Sequence, residues 1–177
     1  MKLYMHPAST TSRAVMLFIA DNKIPVDMQV VDIFTGEHMK EPYAGINPSK
    51  LIPLLEDGGF RLSESSAILK YLADRFDLPS YPKDLKRRAR VNEVMDWFNS
   101  NLYRDWGYGL IYPQIFPSHK RPSEEAHSAT IYWGKDKAKG LHTSGAQYQK
   151  ISSLSSPYIH DGPRAPFLCT SPCLISM

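Results

Sequence analysis

The stretch "INPSKLIPLLEDGGFRLSESSAILKYLADRF", residues 46–76, decides the fold. Its first half contains two short runs of strand-forming residues, 53–56 and 60–62, on either side of Asp57-Gly58-Gly59. A glycine-containing turn between two such runs is typical of a β-hairpin. The sequence therefore predicts a hairpin, followed directly by the element that the second half encodes.

The second half of this stretch has the spacing of an amphipathic helix. Its apolar residues recur every three or four positions and would share one face: Ile68, Leu69, Leu72 and Phe76. Ser63 precedes this run, and serine is a favoured residue at a helix N-cap. We therefore expect the helix to begin immediately after Ser63.

The residues upstream of this stretch change repeatedly between strand and helix patterns. Residues 2–5 form a short apolar run, residues 12–22 have helical spacing, and residues 26–30 alternate between apolar and polar. The predicted order is strand, helix, strand, loop, hairpin and helix. We assign these elements to one α/β domain, residues 1–77.

A second, helical domain is predicted after a linker. Residues 78–84, "LPSYPKD", are punctuated by prolines and lack periodicity, as linkers do. Two helices are expected beyond it, and the second begins at Ser123. The first helix has an apolar stripe, Val91, Val94, Met95, Phe98 and Leu102. The aromatic residues of this region are expected in the core rather than in a pocket: Trp97, Phe98, Tyr103, Trp106 and Tyr108.

The composition changes after Gly140. Residues 141–177 contain seven Ser, four Pro and one acidic residue, and no apolar stripe runs through them. We therefore expect a partial helical domain, residues 85–140, and a largely disordered tail, because the tail has few apolar anchors to offset the entropy of ordering. Four residues of zinc-ligand type in the tail match no common zinc-site spacing, so no metal is predicted: His142, His160, Cys169 and Cys173.

Charge and apolar content exclude several classes of protein. The chain has 21 Lys and Arg against 18 Asp and Glu, a net charge of +3, which is too weak to predict a nucleic-acid partner. The basic run at residues 83–90 contains no aromatic residue and is interpreted as a solvated helix start. No stretch resembles a signal peptide or a membrane span, so we expect a cytoplasmic protein without a membrane partner.

Four consecutive hydroxyl residues, 9–12, lie between the first strand and the first helix. Helix capping could explain one or two of them. Alternatively, one hydroxyl could donate a hydrogen bond to an anion at the helix N-terminus. Lowering a thiol pKa of about 8.5 by two units takes roughly 2.7 kcal/mol. A hydrogen bond to a charged group supplies about 1.5 to 3 kcal/mol and a helix N-terminus up to about 2, so together they could stabilise a thiolate.

Three further residues have both a structural and a functional interpretation. Pro53 could be an ordinary edge-strand proline, or it could leave the backbone beside it free to pair with an extended peptide. Glu64 and Ser65 could complement and cap a helix N-terminus. They could equally bind the ammonium and the carboxylate of an amino acid head group.

Together these segments resemble a known family. The segments "PASTTSR", "GEHMK", "NPSKLIPLLEDG" and "LSESSAILKYL" have the order and spacing of the glutathione-binding domain of glutathione transferases. The resemblance is to the serine-type branch that includes the theta class, and it ends at about residue 140. It implies a thioredoxin-like α/β domain followed by an all-α domain that is truncated here, with an atypical tail.

The resemblance also implies a role for individual residues. Ser9 falls on the serine that activates the glutathione sulfur, although Thr10 or Ser12 could share or take this role. The other positions are implied to hold the tripeptide. They are His38 and Lys50 for its glycine end, Ile52 and the cis-proline Pro53 for its cysteinyl backbone, and Glu64 with Ser65 for its γ-glutamyl group.

The implied activity is attack of the glutathione thiolate on a small hydrophobic electrophile, the chemistry of a detoxification enzyme. Glutathione would be a cosubstrate, and no other cofactor is implied. The implied assembly is a homodimer, built where the last helix of the first domain meets the first helix of the second. The alternatives are a glutathione-binding or interaction module with little catalysis, and an unproductive variant from altered splicing or a shifted reading frame.

Overall fold

The structure, a computed structural model, describes residues 1–136. The predicted tail and its four residues of zinc-ligand type lie outside the described residues. The chain forms two compact units, with the division between Pro82 and Lys83.

The first unit is built on a four-stranded mixed sheet with the strand order β2-β1-β3-β4. The strands are β1 Lys2–Met5, β2 Asp27–Val30, β3 Leu54–Asp57 and β4 Phe60–Ser63. Strand β1 is parallel to β2 and antiparallel to β3, and β3 is antiparallel to β4. The predicted hairpin is confirmed, and its turn places Gly58 and Gly59 at φ +55° and +90°, conformations that glycine adopts without steric cost.

Two longer helices pack together beside this sheet. They are α1 Thr10–Asp21 and α3 Ser65–Arg75, with a short 3₁₀-helix Glu37–Met39 and a one-turn helix α2 Tyr43–Ile46 between them in the chain. Helices α1 and α3 contact each other through the predicted apolar faces. Their buried side chains include Val15, Phe18, Ile19, Ile68, Leu69 and Leu72. The strand and helix order is that of the thioredoxin-like domain predicted from the sequence.

The two faces of the sheet are both buried at its centre. Leu3 and Leu55 are registered partners and fully buried. Side chains alternate along a strand, so Tyr4 and its partner Leu54 lie on the opposite face. There Tyr4 packs against Tyr43 of α2, with ring centroids 5.8 Å apart. Tyr4 is therefore a core residue.

One expectation about this unit is wrong. Ser63 is not the N-cap of α3, because it is the last residue of β4 and pairs with Leu54. Glu64 occupies the cap position and makes no side-chain cap hydrogen bond. The strand predicted at residues 26–30 is present as β2, an edge strand whose four residues are all exposed.

The second unit is helical over its described residues. Its elements are α4 Leu85–Trp97, a π-helix Phe98–Ile111, α5 Tyr112–Ile115, a 3₁₀-helix Pro117–His119 and a helix α6 over residues 124–136. Asp84 caps α4 by accepting a hydrogen bond from the Arg87 N–H at 2.9 Å. Ser123 caps α6 by accepting one from the Ala126 N–H at 3.2 Å, as the sequence predicted.

The π-helix is packed closely against α6. A Cβ atom on Gly134 would lie 2.6 Å from Leu110 Cβ and 2.7 Å from the Asp105 carbonyl oxygen, so glycine is required at this contact. The expectation that the aromatic residues here form the core is wrong, because they are half-buried or, for Tyr108, exposed. Tyr103 and Tyr108 instead line an open groove of about 440 Å³ with Arg104 and Arg121.

None of the helices within residues 1–136 is long and apolar enough to cross a membrane.

Candidate functional site

The sheet topology brings four chain segments to one edge of the first unit. Strands β1 and β2 are parallel and end together at Met5 and Val30. Strand β3 runs antiparallel to β1, so it begins at the edge where β1 ends, and β4 ends there at Ser63. The predicted site residues follow β1, β2 and β4 or precede β3. They therefore share one edge, where α1 and α3 also begin.

Ser9 is the residue at which α1 begins. It has an extended backbone, and its Oγ accepts a hydrogen bond from the Ser12 N–H at 3.3 Å. The predicted cap is thus one of the functions of the hydroxyl cluster. The residue is 9% exposed and the contact of its hydroxyl with Thr11 Oγ1 is partly buried, so the hydroxyl does not lie in bulk solvent. A hydroxyl in this place can contact a ligand atom that also faces the N-terminus of a 12-residue helix.

The other hydroxyls of the cluster differ from Ser9 in their surroundings. Ser12 is fully buried, and its Oγ has no hydrogen-bond partner within residues 1–136. A ligand could reach Ser12 only if the helix moved. Thr11 Oγ1 lies 3.0 Å from Ser9 Oγ and donates a hydrogen bond to the Ile52 carbonyl oxygen at 3.3 Å. The geometry therefore favours Ser9 over Ser12 as the ligand-facing hydroxyl.

The loop before β3 is held by two buried side chains, Tyr43 in α2 and Asn47 at the C-terminal end of α2. Tyr43 donates its hydroxyl to the Leu51 carbonyl oxygen at 2.5 Å, and Asn47 Nδ2 donates to the same oxygen at 2.7 Å. Asn47 Oδ1 accepts a hydrogen bond from the Ser49 N–H at 3.2 Å. Burial raises the pKa of the Tyr43 hydroxyl, so it remains a protonated donor at neutral pH. We name this set, Tyr43, Asn47 and the Leu51 carbonyl, the loop clamp.

The clamp positions two of the predicted site residues. Lys50 has a positive φ of 55°, and its N–H donates a hydrogen bond to the Asn47 carbonyl oxygen at 2.9 Å. Ile52 follows directly and precedes Pro53 across a cis peptide bond, as the resemblance implies. Ile52 is half-buried and Pro53 is buried. The backbone of residues 50–53 is thus fixed relative to the sheet edge.

The loop after β2 carries His38 within the short 3₁₀-helix. Asp32 holds this loop, because its carboxylate accepts hydrogen bonds from the Phe34 and Thr35 N–H groups at 2.8 and 3.3 Å. The first of these bonds is the main reason that the pKa of Asp32 is lowered. The Nδ1 atom of His38 is buried and has no hydrogen-bond partner in the described part of the chain.

Glu64 and Ser65 lie where β4 meets α3. Glu64 has φ +68° and ψ 113°, a left-handed conformation that is uncommon for a residue with a Cβ atom. Its side chain is exposed, and Ser65 is the first residue of α3. Strained backbone of this kind occurs at ligand-binding sites more often than elsewhere. An acidic side chain and a helix N-terminus are therefore presented together at the sheet edge.

Sequence reasoning missed the residues that connect and support these groups. The sequence predicts no individual role for Thr11. Its contact with Ile52 joins two segments that are 41 residues apart in the chain. Tyr43 and Asn47 were not identified at all. The signal for Asn47 was its place in "NPSK", but nothing in the sequence states which carbonyl it would bind. In the described residues, no group of three or more His, Cys, Asp and Glu could hold a metal ion.

Comparisons with known proteins give consistent matches. The family model described as "Glutathione S-transferase, N-terminal domain" matches residues 8–75. Over 119 residues the chain is 40% identical to glutathione S-transferase theta-1 of Homo sapiens. This alignment covers 66% of this chain and 50% of that protein. The chain thus spans about half the length of the curated relatives it matches.

Two solved structures are similar to this chain. Human glutathione transferase theta-2, in complex with glutathione and an unknown ligand, has a TM-score of 0.67 and 32% identity, covering 79% of this chain and 59% of that chain. A diazinon-metabolizing glutathione S-transferase of the silkworm, Bombyx mori, has a TM-score of 0.62 and 31% identity, covering 81% of this chain and 68% of that chain.

Proposed function

The chain belongs to the glutathione S-transferase family, and we propose that it binds glutathione and joins the glutathione sulfur to a small apolar electrophile. The observation that carries the proposal is the position of the Ser9 hydroxyl. It lies at the N-terminus of α1, on the sheet edge that Ile52 and Glu64 share. The human theta-2 structure is a complex with glutathione, which supports glutathione as the ligand.

The proposed chemistry begins with ionisation of the bound thiol. The thiol proton leaves to water, and Ser9 keeps its own proton and donates it in a hydrogen bond to the thiolate. Ionisation at neutral pH requires a pKa about two units below the usual value of about 8.5, or roughly 2.7 kcal/mol. One hydrogen bond to a charged sulfur supplies about 1.5 to 3 kcal/mol. The α1 N-terminus supplies up to about 2 kcal/mol more, so the two suffice without a general base.

The remaining residues are proposed to hold the tripeptide along the sheet edge. The backbone of Ile52, before the cis-proline Pro53, pairs with the extended cysteinyl residue. Glu64 accepts hydrogen bonds from the γ-glutamyl ammonium, and Ser65 with the α3 N-terminus takes its carboxylate. His38 and Lys50 bind the carboxylate at the glycine end of glutathione. The thiolate then attacks the electrophile, forming the sulfur–carbon bond as the leaving group departs with its electron pair.

Titration of bound glutathione tests the proposal. The ultraviolet absorbance of the thiolate, followed against pH on the purified chain, gives the pKa of the bound thiol. We expect this pKa to be near or below neutral. Ser9→Ala should raise it by at least about one unit, equivalent to 1.36 kcal/mol, because the main hydrogen bond to sulfur is lost.

Two matched variants, Thr10→Val and Ser12→Ala, show which hydroxyl of the cluster donates to the glutathione sulfur. Each removes one neighbouring hydroxyl of the cluster. If the bound thiol has the same pKa in Ser9→Ala as in the unsubstituted protein, and one of these two variants raises that pKa, then the residue changed in that variant stabilises the thiolate. If the unsubstituted protein binds glutathione with its thiol pKa unchanged from solution, the transferase assignment is wrong, and a binding module without catalysis explains the site.

A further inference from the structure

Thr11 lies between the two groups that the proposed function places around the glutathione cysteine. Its Oγ1 is 3.0 Å from Ser9 Oγ and 3.3 Å from the Ile52 carbonyl oxygen. It is half-buried in the first turn of α1. The sulfur-facing hydroxyl and the backbone-pairing carbonyl are therefore joined by one side chain.

Counting hydrogen atoms shows that this arrangement has two states. Thr11 has one hydroxyl hydrogen, and Ser9 has one. If Thr11 donates to Ile52, the contact with Ser9 requires Ser9 to donate to Thr11, and the Ser9 hydrogen is then directed away from sulfur. If Thr11 instead donates to Ser9, the Ser9 hydrogen is released toward the ligand. In both states Ser9 Oγ can still accept from the Ser12 N–H, 3.3 Å away.

We propose that Thr11 is a positioning residue for Ser9, which turns its hydroxyl from the Ile52 carbonyl to Ser9 Oγ when a thiolate is bound. This inference rests on the proposed function, because it assumes glutathione at the sheet edge. The Thr11 hydroxyl supports Ser9 as a donor in two ways. It fixes the Ser9 side chain in place, and a hydroxyl that itself accepts a hydrogen bond becomes a stronger donor.

Binding at Ile52 would favour the same change. The Thr11 hydrogen bond to the Ile52 carbonyl is long at 3.3 Å, and therefore weak. A cysteinyl N–H that pairs with this carbonyl offers it a better-aligned donor. The Thr11 hydrogen is then free to move to Ser9, which in turn can donate to sulfur. Docking of the peptide backbone and activation of the sulfur are thereby coupled through one hydroxyl.

The test compares three substitutions at position 11 in the full chain. Thr11→Val removes the hydroxyl and keeps the shape of the side chain, Thr11→Ser keeps the hydroxyl and removes the methyl group, and Thr11→Ala serves as a second hydroxyl-free variant. Two quantities are measured for each. They are the pKa of the bound glutathione thiol and the affinity for S-methylglutathione, which has no thiol to ionise.

We expect Thr11→Val and Thr11→Ala to raise the bound thiol pKa by about 0.3 to 1 unit, a roughly two- to tenfold smaller ionisation constant. Thr11→Ser should retain the original pKa. The affinity for S-methylglutathione should stay within about twofold in all three variants, since the backbone contacts remain. Thr130→Val is the matched control, because the Thr130 hydroxyl also donates to a helix carbonyl, that of Ala126 at 2.7 Å, but lies in the second unit.

Several results would overturn the inference. An unchanged thiol pKa in both hydroxyl-free variants removes the role of Thr11, as does a Thr11→Ser variant that is shifted as far as Thr11→Val. If Thr11→Val and Thr11→Ala lower the affinity for S-methylglutathione by as large a factor as they lower the thiol ionisation constant, the role of Thr11 is merely structural. Failure of the proposed function is separately visible, because then the unsubstituted protein itself does not ionise bound glutathione.

Discussion

Glu64 adopts a backbone conformation that is costly for any residue with a Cβ atom. Its φ of +68° lies in the left-handed region, where an L-residue pays about 1 to 2 kcal/mol. No local cap hydrogen bond of the side chain offsets this cost. Strained backbone clusters at ligand-binding sites, which favours a role in binding for Glu64, whose exposed side chain lies where β4 meets α3.

Substitutions of Glu64 should separate stability from binding. Glu64→Gly removes the backbone strain, so its free energy of unfolding should exceed that of Glu64→Ala by about 1 kcal/mol. Both variants lose the carboxylate proposed to pair with the glutathione ammonium. Both should therefore bind glutathione about ten- to a hundredfold more weakly, as expected for a hydrogen bond to a charged group. Chemical denaturation and calorimetry measure the two effects.

Lys23→Gly is the matched control for this prediction. Lys23 also has a positive φ, 51°, but it follows the C-terminal end of α1, away from the sheet edge. The glycine variant should gain stability and keep its affinity for glutathione. Affinity equal to that of the unsubstituted protein in Glu64→Ala would contradict the assignment of Glu64.

At this scale the sequence supplied residue types and spacing but not geometry. Roles for Ser9, Pro53 and Glu64 could be proposed because the family resemblance chose between a structural and a functional interpretation that the residue types alone left open. The positive φ of Glu64 and the contact of Thr11 with Ile52 could not be predicted from the sequence. Both depend on how β1, β3 and β4 align at one edge, which is a property of the register rather than of any local pattern.

At the scale of elements, the loop clamp determines where the backbone of residues 50–53 lies. Asn47 is 4% exposed and donates to the Leu51 carbonyl oxygen, which also accepts the Tyr43 hydroxyl. Asn47→Ala removes one donor and leaves the Ser49 N–H without its partner. We expect the free energy of unfolding to fall by about 1 to 3 kcal/mol. Glutathione binding should also weaken, because Lys50 and Ile52 lose their fixed backbone.

Asn22→Ala is the control for the clamp. Asn22 Nδ2 also donates to a backbone carbonyl, that of Phe18 at 2.9 Å, but at the far end of α1. Its loss should lower stability and leave glutathione affinity unchanged, as measured by denaturation and calorimetry. A clamp variant that loses stability while it binds glutathione normally would show that the loop is positioned by other contacts.

Element boundaries were predictable where a local signal determines them. The glycines at positions 58 and 59 fixed the hairpin, and Ser123 fixed the start of α6. The cap of α3 was misplaced by one residue because the pairing of Ser63 with Leu54 extends β4, and a tertiary contact outweighs a capping preference. The π-helix Phe98–Ile111 had no signal, since its apolar residues also fit α-helical spacing.

At the scale of the whole molecule, we propose that the chain forms a two-fold homodimer. Leu85, the first residue of α4, is 81% exposed, the highest fraction among the exposed large apolar side chains of residues 1–136. Burial of one leucine at an interface stabilises it by about 1.5 to 3 kcal/mol. In a two-fold interface each contact occurs twice, so Leu85 would contribute about 3 kcal/mol or more to the dimer.

Leu85→Asp should therefore raise the dimer dissociation constant by about a hundredfold or more, because a gain of about 3 kcal/mol is lost and a charge is added at the interface. Sedimentation at micromolar concentration measures this. Ile115→Asp is the control, since Ile115 is also exposed, at 59%, but at the end of α5, outside the α3 and α4 surfaces expected to meet. A stable, well-folded monomer before any substitution would contradict the dimer. Equal weakening by both variants would place the interface elsewhere, because the effect would then follow from added charge and not from the position of Leu85.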